Sequence, residues 1–353
     1  MTNISVCIIC KNEEKYIARC LESLTEYNLE IVVVDTGSSD DSVAIAKRYT
    51  DKVYDYKWEK DFSKARNYSI EQASNNWILI LDCDEFVDDF NIRLVKNFMK
   101  AYPDYIGEVI CKNEFFDLGG EPYYKEYTLP RFFNRKFFHY EGAIHEQITP
   151  ININLPLKGC TLPISFIHVG YNLSAEMMRE KQLRNIELLR FEIEINSTDP
   201  YTHYQLGVSY LTIKDYKQAI ESFNNAINCE LDFRIFYTNE LFLHLANAYI
   251  GIEQYPNAIE VLENAKELLS DYSDYYYALG SAYYKNNMIP QSILSYIQAL
   301  NASKSINIAT KDYMTHYSLG NIYERMGDTK MALSFYNNCR DYHDTKERIN
   351  RLS

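Results

Sequence analysis

A short apolar run that ends abruptly in acidic residues constrains this chain more than any other feature. Residues 77–81 (WILIL) are all apolar and too few for a helix, so they predict a strand buried on both faces of a parallel sheet. Asp82, Asp84 and Glu85 follow directly. Ligands of open α/β sheets bind beyond the carboxyl ends of the strands, so these three carboxylates are expected where a substrate lies.

Asp82 and Asp84 are two residues apart, and in an extended chain their side chains point the same way. Two such carboxylates repel each other, and a hard divalent cation shared with a diphosphate relieves that repulsion. An isolated Asp-x-Asp is more often a turn that caps the next helix. The interpretation therefore depends on the neighbouring segments.

Length, charge and cysteine content narrow the class of protein. At 353 residues the chain is long for one domain, so two domains are expected. The formal net charge of -13 disfavours nucleic acid or an anionic membrane as the main partner, because both attract a basic surface. Eight scattered cysteines, no signal peptide and no apolar run of membrane-spanning length predict a cytoplasmic protein. Cys7 and Cys10, an odd number of residues apart, are expected on opposite faces of a strand as core residues.

The first strand is predicted to run directly into a helix. Residues Ile4–Cys10 form the apolar strand, and residues 13–25 have the apolar spacing of a helix with Asn12 as its N-cap. A strand followed directly by a helix N-terminus presents backbone N–H groups to an anion or to the edge of a base.

The alternation of strand and helix continues. Residues Glu30–Asp35 predict a second buried strand, and Ser39 or Asp40 caps the next helix. At the end of this strand, Asp35 is placed either to accept the imino N–H of a pyrimidine or simply to cap its turn.

A third short strand over residues 52–56 precedes the sequence DFSKARN, in which Asp61 or Ser63 begins a helix. Arg66 lies in an early turn of that helix. It is placed either to contact a phosphate through two N–H groups or to remain solvated.

Four motifs, in this order and spacing, resemble those of family 2 glycosyltransferases with the GT-A fold. They are CIICKNEEKYIARCLESL, VVVDTGSSDDS, DFSKARN and LDCDE. The sequence lacks the glycine fingerprints of dinucleotide-binding domains and of phosphate-loop NTPases. Within the family the chain is similar to the branch with C-terminal tetratricopeptide repeats, which includes the SunS-type peptide S-glycosyltransferases of glycosylated bacteriocins.

The resemblance implies roles for the residues at the strand ends. Asp35 would contact the uracil of a UDP-sugar, Asp82 the ribose, and Asp84 the divalent metal on the diphosphate. The other residues expected at the nucleotide-sugar site are Cys10, Asn12, Glu13, Arg66, Cys83 and Arg131.

The second half of this domain is expected to hold the sugar and the acceptor. Residues 108–116 and 127–133 predict two strands, with a turn over 119–122 between them. Arg131 either holds the acceptor or the sugar, or is a structural arginine paired with an acid.

The segment GAIHE resembles one that lines the acceptor pocket in related transferases. An inverting transferase needs a base to deprotonate the acceptor, and many family members have an Asp here. Glu146 is the first choice for the base and His145 the second. A thiol loses its proton more easily than an alcohol does, so a thiol acceptor would depend less on this base.

A further apolar run over residues 160–167 predicts a strand that ends at His168. By resemblance to the H-x-G-Y-N form of the family, His168 is expected to ligate the metal together with Asp84. These two ligands and diphosphate oxygens suit Mn²⁺ or Mg²⁺. The alternative is a structural histidine.

The C-terminal half contains four copies of the tetratricopeptide pattern, and the first copy begins at Pro200. The four L-[GA] pairs are Leu206-Gly207, Leu245-Ala246, Leu279-Gly280 and Leu319-Gly320. Longer spacing around residues 233–239 and 303–311 predicts loops or extended helices there. Such repeats stack into a superhelix whose groove binds a peptide or protein, or else they brace the first domain or form a homodimer.

Together these features predict an α/β GT-A domain over residues 1–172, a connecting helix over 173–198 and an all-α repeat domain over 199–353. The expected activity is inverting, metal-dependent transfer of a hexose, glucose being the first choice, from a UDP-sugar to a Cys or Ser side chain of a peptide or protein. One alternative is a transferase for cell-envelope or lipid-linked glycan. The other is a tetratricopeptide scaffold whose transferase domain is inactive.

Overall fold

The computed structural model describes residues 3–116, 122–169, 175–233, 235, 237–339 and 342–353. The chain divides into two compact units, Met1–Glu180 and Lys181–Ser353. The division falls inside the helix that the sequence predicts as the connector between the domains.

The first unit is built on a mixed β-sheet. Its strands are β1 (Ile4–Cys10), β2 (Glu30–Asp35), β3 (Val53–Asp55), β4 (Trp77–Ile80), β5 (Glu85–Phe90), β6 (Ile106–Phe116), β7 (Pro122–Asn134), β8 (Phe138–Glu141), β9 (Gln147–Pro150) and β10 (Gly159–His168). Eight strands form one sheet in the order β3-β2-β1-β4-β7-β6-β10-β5, and β8 pairs with β9.

Four neighbouring strands form the predicted nucleotide-binding half of the sheet. The pairs β1–β2, β1–β4 and β2–β3 are parallel, so the carboxyl ends of these strands lie at one edge. The bounds of β1 and β2 agree with the predicted ones. Strand β4 was predicted to lie in a parallel sheet. It pairs parallel with β1 but antiparallel with β7, so the sheet is mixed at this strand. Buried apolar strands occur in mixed sheets wherever both faces are covered.

Both faces of this sheet are packed. Val6, Ile8 and Leu79 belong to one buried cluster, whereas Ile78 and Ile80 belong to another. This alternation is the side-chain period of a strand. Cys7 and Cys10 likewise fall into different clusters, which confirms that they lie on opposite faces.

The helices of the first unit are α1 (Ile17–Glu22), α2 (Ser42–Ala46), α3 (Phe62–Gln72) and α4 (Ile92–Ala101), with a 3₁₀ helix over Thr25–Tyr27. The capping of α3 by Asp61 is confirmed, since its side chain accepts the N–H of Lys64. The cap predicted for α2 was displaced by one residue. Asp41 occupies the N-cap position, while the Asp40 carboxylate accepts the N–H of Ser42.

The predicted start of α1 was wrong by four residues. The helix begins at Ile17, and Tyr16 occupies its N-cap position. Asn12 has a φ of 56°, in the left-handed region, so it turns the chain away from a helical path. Asn is one of the few residue types that tolerate this conformation.

The remaining strands complete the sheet next to β4. β6 and β7 form an antiparallel hairpin as predicted, and the predicted turn over 119–122 lies largely outside the described residues. β10 pairs parallel with β6 and antiparallel with β5. Through β7 and β6, β10 runs in the same direction as β1, so His168 ends at the same edge as Asp35.

The second unit is helical. Its helices are α5 (Ala175–Ile195), which begins in the first unit, α6 (Pro200–Thr212), α7 (Tyr216–Asn228), α8 (Tyr237–Gly251), α9 (Tyr255–Asn264), α10 (Lys266–Leu269), α11 (Ser273–Lys285), α12 (Ile289–Asn301), α13 (Tyr313–Arg325), α14 (Thr329–Tyr336) and α15 (Thr345–Leu352). A 3₁₀ helix over Ile308–Lys311 lies in one of the predicted longer connections.

Glycines of the repeat pattern allow paired helices to approach closely. A Cβ atom at Gly207 would lie 2.5 Å from the ring of Phe223, and one at Gly320 would lie 2.6 Å from the ring of Tyr336. Real Cβ contacts are not this short, so each ring occupies the space that a side chain would need. The small and aromatic positions of the repeat are therefore core positions, as the sequence predicts.

Candidate active site

The loops after β1 and β2 are joined by hydrogen bonds at the carboxyl edge of the sheet. Asn12 Oδ1 accepts the N–H of Ser39 at 2.8 Å, and the N–H of Asn12 donates to Ser38 Oγ at 2.9 Å. The N–H of Glu13 donates to Ser42 Oγ at 2.7 Å. Asn12 therefore fixes one loop against the other and does not cap α1.

Asp35 organises the turn that follows β2. Its carboxylate accepts the N–H groups of Gly37 and Ser38, at 3.0–3.1 Å. Gly37 has a φ of 105°, which favours glycine. Of the two roles predicted for Asp35, the structure shows the capping of its turn. The contact with uracil stays a prediction, and a carboxylate with several lone pairs can serve both roles.

Asp82 and Asp84 lie in a turn, so the extended geometry expected for them was wrong. The N–H of Glu85 donates to the carbonyl of Asp82 at 3.1 Å, which closes the turn. The two aspartate side chains consequently have different partners. The expectation that they share one cation is replaced by two adjoining groups of residues.

The first group, here called the arginine cluster, consists of Arg66, Asp82, Glu85, Arg131 and Glu146. Arg66 Nη2 donates to Asp82 Oδ1 at 2.9 Å, and Arg131 Nη2 donates to Asp82 Oδ2 at 2.8 Å. Burial alone would raise the pKa of Asp82, but the two arginines outweigh it and hold that pKa well below its usual range.

Glu146 joins the arginine cluster from a distant part of the chain. Its Oε1 accepts a hydrogen bond from Arg66 Nε at 2.5 Å, and both side chains are nearly buried. Helix α3 also holds the segment before Glu146 in place, since the N–H of Phe62 donates to the carbonyl of Ala143 and the Asn67 amide pairs with the backbone of Tyr140. Arg66 therefore orients the predicted base.

Glu85 does not face a substrate, contrary to the prediction that three carboxylates do. It is 2% exposed, accepts the N–H of Asp82 at 2.9 Å and contacts Arg131 Nη2 at 3.3 Å. Burial raises its pKa above the ordinary value. Arg131 thus has the partners of a structural arginine, and its contact with sugar or acceptor remains a prediction.

The second group is the Asp84–His168 pair. His168 Nε2 donates to Asp84 Oδ2 at 3.2 Å, and His168 Nδ1 donates to Asn113 Oδ1 at 2.9 Å. Tyr127 also donates to Asn113 Oδ1, at 3.1 Å, which identifies that atom as an acceptor. Burial lowers the pKa of His168, but the hydrogen bonds to Asp84 and Cys111 and the charges of Asp84 and Glu85 together outweigh it and raise the pKa to about 10.

The divalent cation stays a prediction, and the Asp84–His168 pair is the part of the described structure that would hold it. Two neighbouring ligands of an octahedral Mg²⁺ lie about 3 Å apart, since each metal–ligand bond is about 2.1 Å. The 3.2 Å between the carboxylate oxygen and the imidazole nitrogen matches this separation. The hydrogen bond to Asn113 leaves Nε2 as the ligating atom once its proton is lost.

The protein supplies only part of a coordination shell. Among the residues that the structure describes, no three His, Cys, Asp or Glu side chains gather where they could hold a metal ion. Two protein ligands completed by phosphate oxygens and water are the arrangement that Mg²⁺ commonly has in proteins. A metal ion is therefore expected at this pair only when a diphosphate is bound as well.

The remaining predicted residues surround these groups. The Cys10 and Cys83 thiols are buried and hydrogen-bonded to each other, and Cys83 Sγ also donates to the carbonyl of Ile9. His145 has a left-handed φ of 55°, and its carbonyl accepts a hydrogen bond from Gln147. The sequence reasoning missed Asn113, for which no local signal exists: it lies beside His168 only because β6 pairs with β10.

A cavity elsewhere in this unit is not part of the site. It has a volume of about 580 Å³ and lies near the starts of β1 and β4, at the opposite edge of the sheet. None of the predicted site residues lines it. The chemistry of the side chains, and not the size of the cavity, locates the candidate active site.

Known proteins resemble both units. Residues 5–149 match the family described as Glycosyl transferase family 2, and residues 200–229 and 315–346 match tetratricopeptide repeat families. MamA from Desulfovibrio magneticus has a solved structure with a TM-score of 0.38 and 20% identity, covering 50% of this chain and 95% of that one.

Two curated relatives are glycosyltransferases. Glycosyltransferase SunS of Bacillus subtilis is 32% identical over 238 residues, which are 63% of this chain and 52% of that protein. The lipopolysaccharide core biosynthesis glycosyltransferase LpsC of Rhizobium meliloti is 31% identical over 116 residues, 32% of this chain and 43% of that protein. The chain thus spans about half the length of the curated relatives it matches.

Within the part of the chain that the structure describes, none of the helices has both the length and the apolar character needed to cross a membrane. The strand order, the motifs at the carboxyl edge and the family match agree with one another. This chain therefore carries a GT-A-like domain that matches glycosyltransferase family 2 over residues 5–149, and tetratricopeptide repeats follow it.

Proposed function

We propose that this chain is an inverting glycosyltransferase that moves a hexose, with glucose as the first choice, from a UDP-sugar to a Cys or Ser side chain of a peptide or protein. The observation that carries the proposal is the Asp84–His168 pair. It lies next to the arginine cluster at the carboxyl edge of a family 2 glycosyltransferase domain. This edge is where α/β sheets bind nucleotides.

The donor would lie across the loops that follow β1, β2 and β4. Asp35 takes the uracil imino N–H, and the Asn12–Ser39 contact keeps the two loops together around the base. Asp82, fixed by two arginines, presents its remaining acceptor capacity to the ribose hydroxyls.

Asp84 and His168 would hold Mn²⁺ or Mg²⁺, which would offset the charge that develops on the departing diphosphate. His168 has to give up its Nε2 proton to serve as a ligand. Asn113 keeps the ring in the orientation that ligation needs.

Glu146 is the proposed base. A carboxylate has two oxygens, so Oε1 can keep the hydrogen bond from Arg66 while the other oxygen accepts the proton of the acceptor. The acceptor sulfur or oxygen then forms a bond to the anomeric carbon as the bond to the diphosphate breaks, with inversion at that carbon. His145 is the alternative base.

The proposed acceptor is a peptide or protein because repeats of this type bind peptides in their groove. The resemblance of the motifs to peptide S-glycosyltransferases supports the same choice. One relative is named a lipopolysaccharide core glycosyltransferase, so a glycan acceptor is the second candidate.

The test is UDP release from UDP-glucose and Mn²⁺ in the presence of a Cys peptide, a matched Ser peptide or neither. We expect UDP release that depends on peptide and metal.

Glu146→Gln should slow transfer to Ser far more than transfer to Cys, because a thiol needs less help to lose its proton. Equal losses would remove Glu146 as the base, and no release with any UDP-sugar from folded protein would favour the scaffold alternative.

A further inference from the structure

An apolar loop protrudes from the edge of the sheet opposite to the candidate active site. It connects β9 to β10 and exposes Ile151 (58%), Ile153 (90%) and Leu157 (60%). The loop is anchored, since the N–H of Ile151 donates to the carbonyl of Phe137 and Leu155 packs against the core. Its exposed aliphatic side chains are therefore held outward by the fold, as at surfaces that bind a partner.

The backbone of the loop is linked to a residue that lines the 580 Å³ cavity at this edge. Asn134 lines the cavity together with Lys96 and Lys100. The carbonyl of Asn134 accepts the N–H of Phe137 at 3.0 Å, and the carbonyl of Phe137 accepts the N–H of Ile151 at 2.8 Å. Two hydrogen bonds thus connect the cavity wall to the apolar loop.

Tyrosines and a lysine extend the same surface. Lys158 Nζ lies 5.5 Å from the centre of the Tyr105 ring, and the ring centres of Tyr105 and Tyr102 are 5.0 Å apart. Tyr102 is 46% exposed. Aliphatic tips, amphipathic tyrosines and lysines with long apolar stems are the side chains that enter the interface of a bilayer.

The chain segments of this surface carry a net positive charge, opposite to that of the whole protein, although Glu30 and Glu108 also lie beside it. The segments 96–106, 134–139 and 150–159 contain five cationic residues and one anionic residue, Asp104. The five cations are Lys96, Lys100, Arg135, Lys136 and Lys158. The net charge of -13 is a sum over the whole chain, so it does not exclude an anionic partner at this surface.

We propose that this edge of the first unit docks on an anionic lipid bilayer. The aliphatic side chains of the 151–157 loop enter the headgroup region, the lysines contact lipid phosphates, and the cavity beside Lys96 and Lys100 receives a headgroup. A bilayer fits better than an acidic protein, because lysine is depleted in protein interfaces whereas lysines beside protruding aliphatic side chains are typical of membrane surfaces.

Docking in this way orients the candidate active site. Strand β1 has seven residues, so the two edges of the sheet are about 20 Å apart. The Asp84–His168 pair would face the aqueous phase, from which a peptide acceptor arrives. The inference rests on the surface alone and does not depend on the proposed transferase activity.

The test is flotation of the full chain with vesicles of phosphatidylcholine alone, or with phosphatidylglycerol added. We expect binding that requires phosphatidylglycerol and weakens at high salt, because salt screens charges near the bilayer. Ile153→Asp/Leu157→Asp and, separately, Lys136→Glu/Lys158→Glu should each weaken binding at least about tenfold, since each lysine near an anionic surface contributes about a factor of five.

Matched controls carry the same changes in the repeat unit. Leu294→Asp/Ile308→Asp, at residues that are 58% and 68% exposed, and Lys217→Glu/Lys330→Glu should leave vesicle binding unchanged. Circular dichroism checks the fold of every variant. Absence of binding to anionic vesicles would overturn the proposal, and so would equal binding by all variants. A dimer that Ile153→Asp dissociates without lipid, in a protein that does not float with vesicles, would identify the surface as a contact between two copies of the chain.

Discussion

Asp82 and Asp84 are separated by one residue, yet they belong to two differently built regions. In the arginine cluster Asp82 is itself 32% exposed at the side chain, but its partner Arg66 is only 7% and Glu146 only 12% exposed. The Asp84 side chain is 27% exposed and faces the imidazole of His168. One short motif thus supplies both a carboxylate held by two arginines and a carboxylate that an incoming cation can reach.

Because the two regions differ in this way, we expect the arginine cluster to contribute mainly to stability and the Asp84–His168 pair mainly to ligand binding. Two guanidinium groups pair with three carboxylates in the arginine cluster, and among the described residues only Arg66 Nη1 is left there buried without a hydrogen-bond partner. Removal of one member leaves buried charge without compensation. The Asp84–His168 pair is small and partly solvated, so its loss should affect the bound ligand more than the fold.

The largest effect is expected for Arg66→Ala, which removes a partner of both Asp82 and Glu146. The free energy of unfolding of the first unit should fall by about 3–5 kcal/mol. Trp58 and Trp77 are the two tryptophans of the chain and both lie in this unit, so tryptophan fluorescence in urea reports on it alone.

Arg93→Ala is the matched control, because Arg93 is exposed on α4. It should change the free energy of unfolding by less than about 0.5 kcal/mol. If Arg66→Ala proved as mild as this control, the arginine cluster would not be the anchor that its geometry indicates.

The next effect concerns turnover. Asp84→Asn should lower metal-dependent UDP release about 10²–10³-fold, the usual result of losing one group that stabilises charge in the transition state. Its free energy of unfolding should fall by no more than the contribution of the His168 hydrogen bond, about 1.5–3 kcal/mol, which is less than the loss expected for Arg66→Ala. Asp89→Asn, at an exposed residue on β5, is the control and should retain full turnover. Unchanged turnover in Asp84→Asn would remove the metal assignment.

The smallest effect is a pH dependence of stability in EDTA. The pKa of His168 rises from 6.5 to about 10 on folding, so the folded state holds this proton more tightly than the unfolded state. The resulting stabilisation, about 1.5–3 kcal/mol for a hydrogen bond to a charged group, is fully present below pH 6.5 and is lost as the pH rises to 10.

His168→Gln isolates this contribution from the other titrating groups. The difference in free energy of unfolding between wild type and variant, measured by tryptophan fluorescence at pH 6, 8 and 10, should shrink as the pH rises. A difference that stays constant with pH would mean that His168 is not protonated in the folded protein.

Local sequence patterns were sufficient for most of the fold. The bounds of β1 and β2 follow from continuous apolar runs, and the paired repeat helices follow from the spacing of residues such as Gly207 and Phe223. The start of α1 does not follow from such a pattern. Asn12 is a good N-cap residue and also a tolerant left-handed residue, and contacts with the distant Ser38–Ser39 turn decide between the two.

The candidate site was predictable only in part, because its pairings are long-range. The sequence places Asp84 and His168 at strand ends, and the parallel direction of β10 brings them together. It cannot show that Arg66 contacts Glu146, 80 residues away, nor that Asp82 faces arginines while Asp84 faces a histidine. The sequence reveals which residues reach the edge, and the turn at Asp82 determines which way each one points.

The central claim is that the Asp84–His168 pair holds a cation on the diphosphate of a UDP-sugar. Calorimetric titration of UDP into the protein, with Mn²⁺ and with EDTA, tests it most directly. Wild type should bind UDP at least about tenfold more tightly with Mn²⁺, a difference of about 1.4 kcal/mol, and Asp84→Asn should lose that difference. Equal affinity with and without metal, or an Asp84→Asn variant that binds like wild type, would contradict the account.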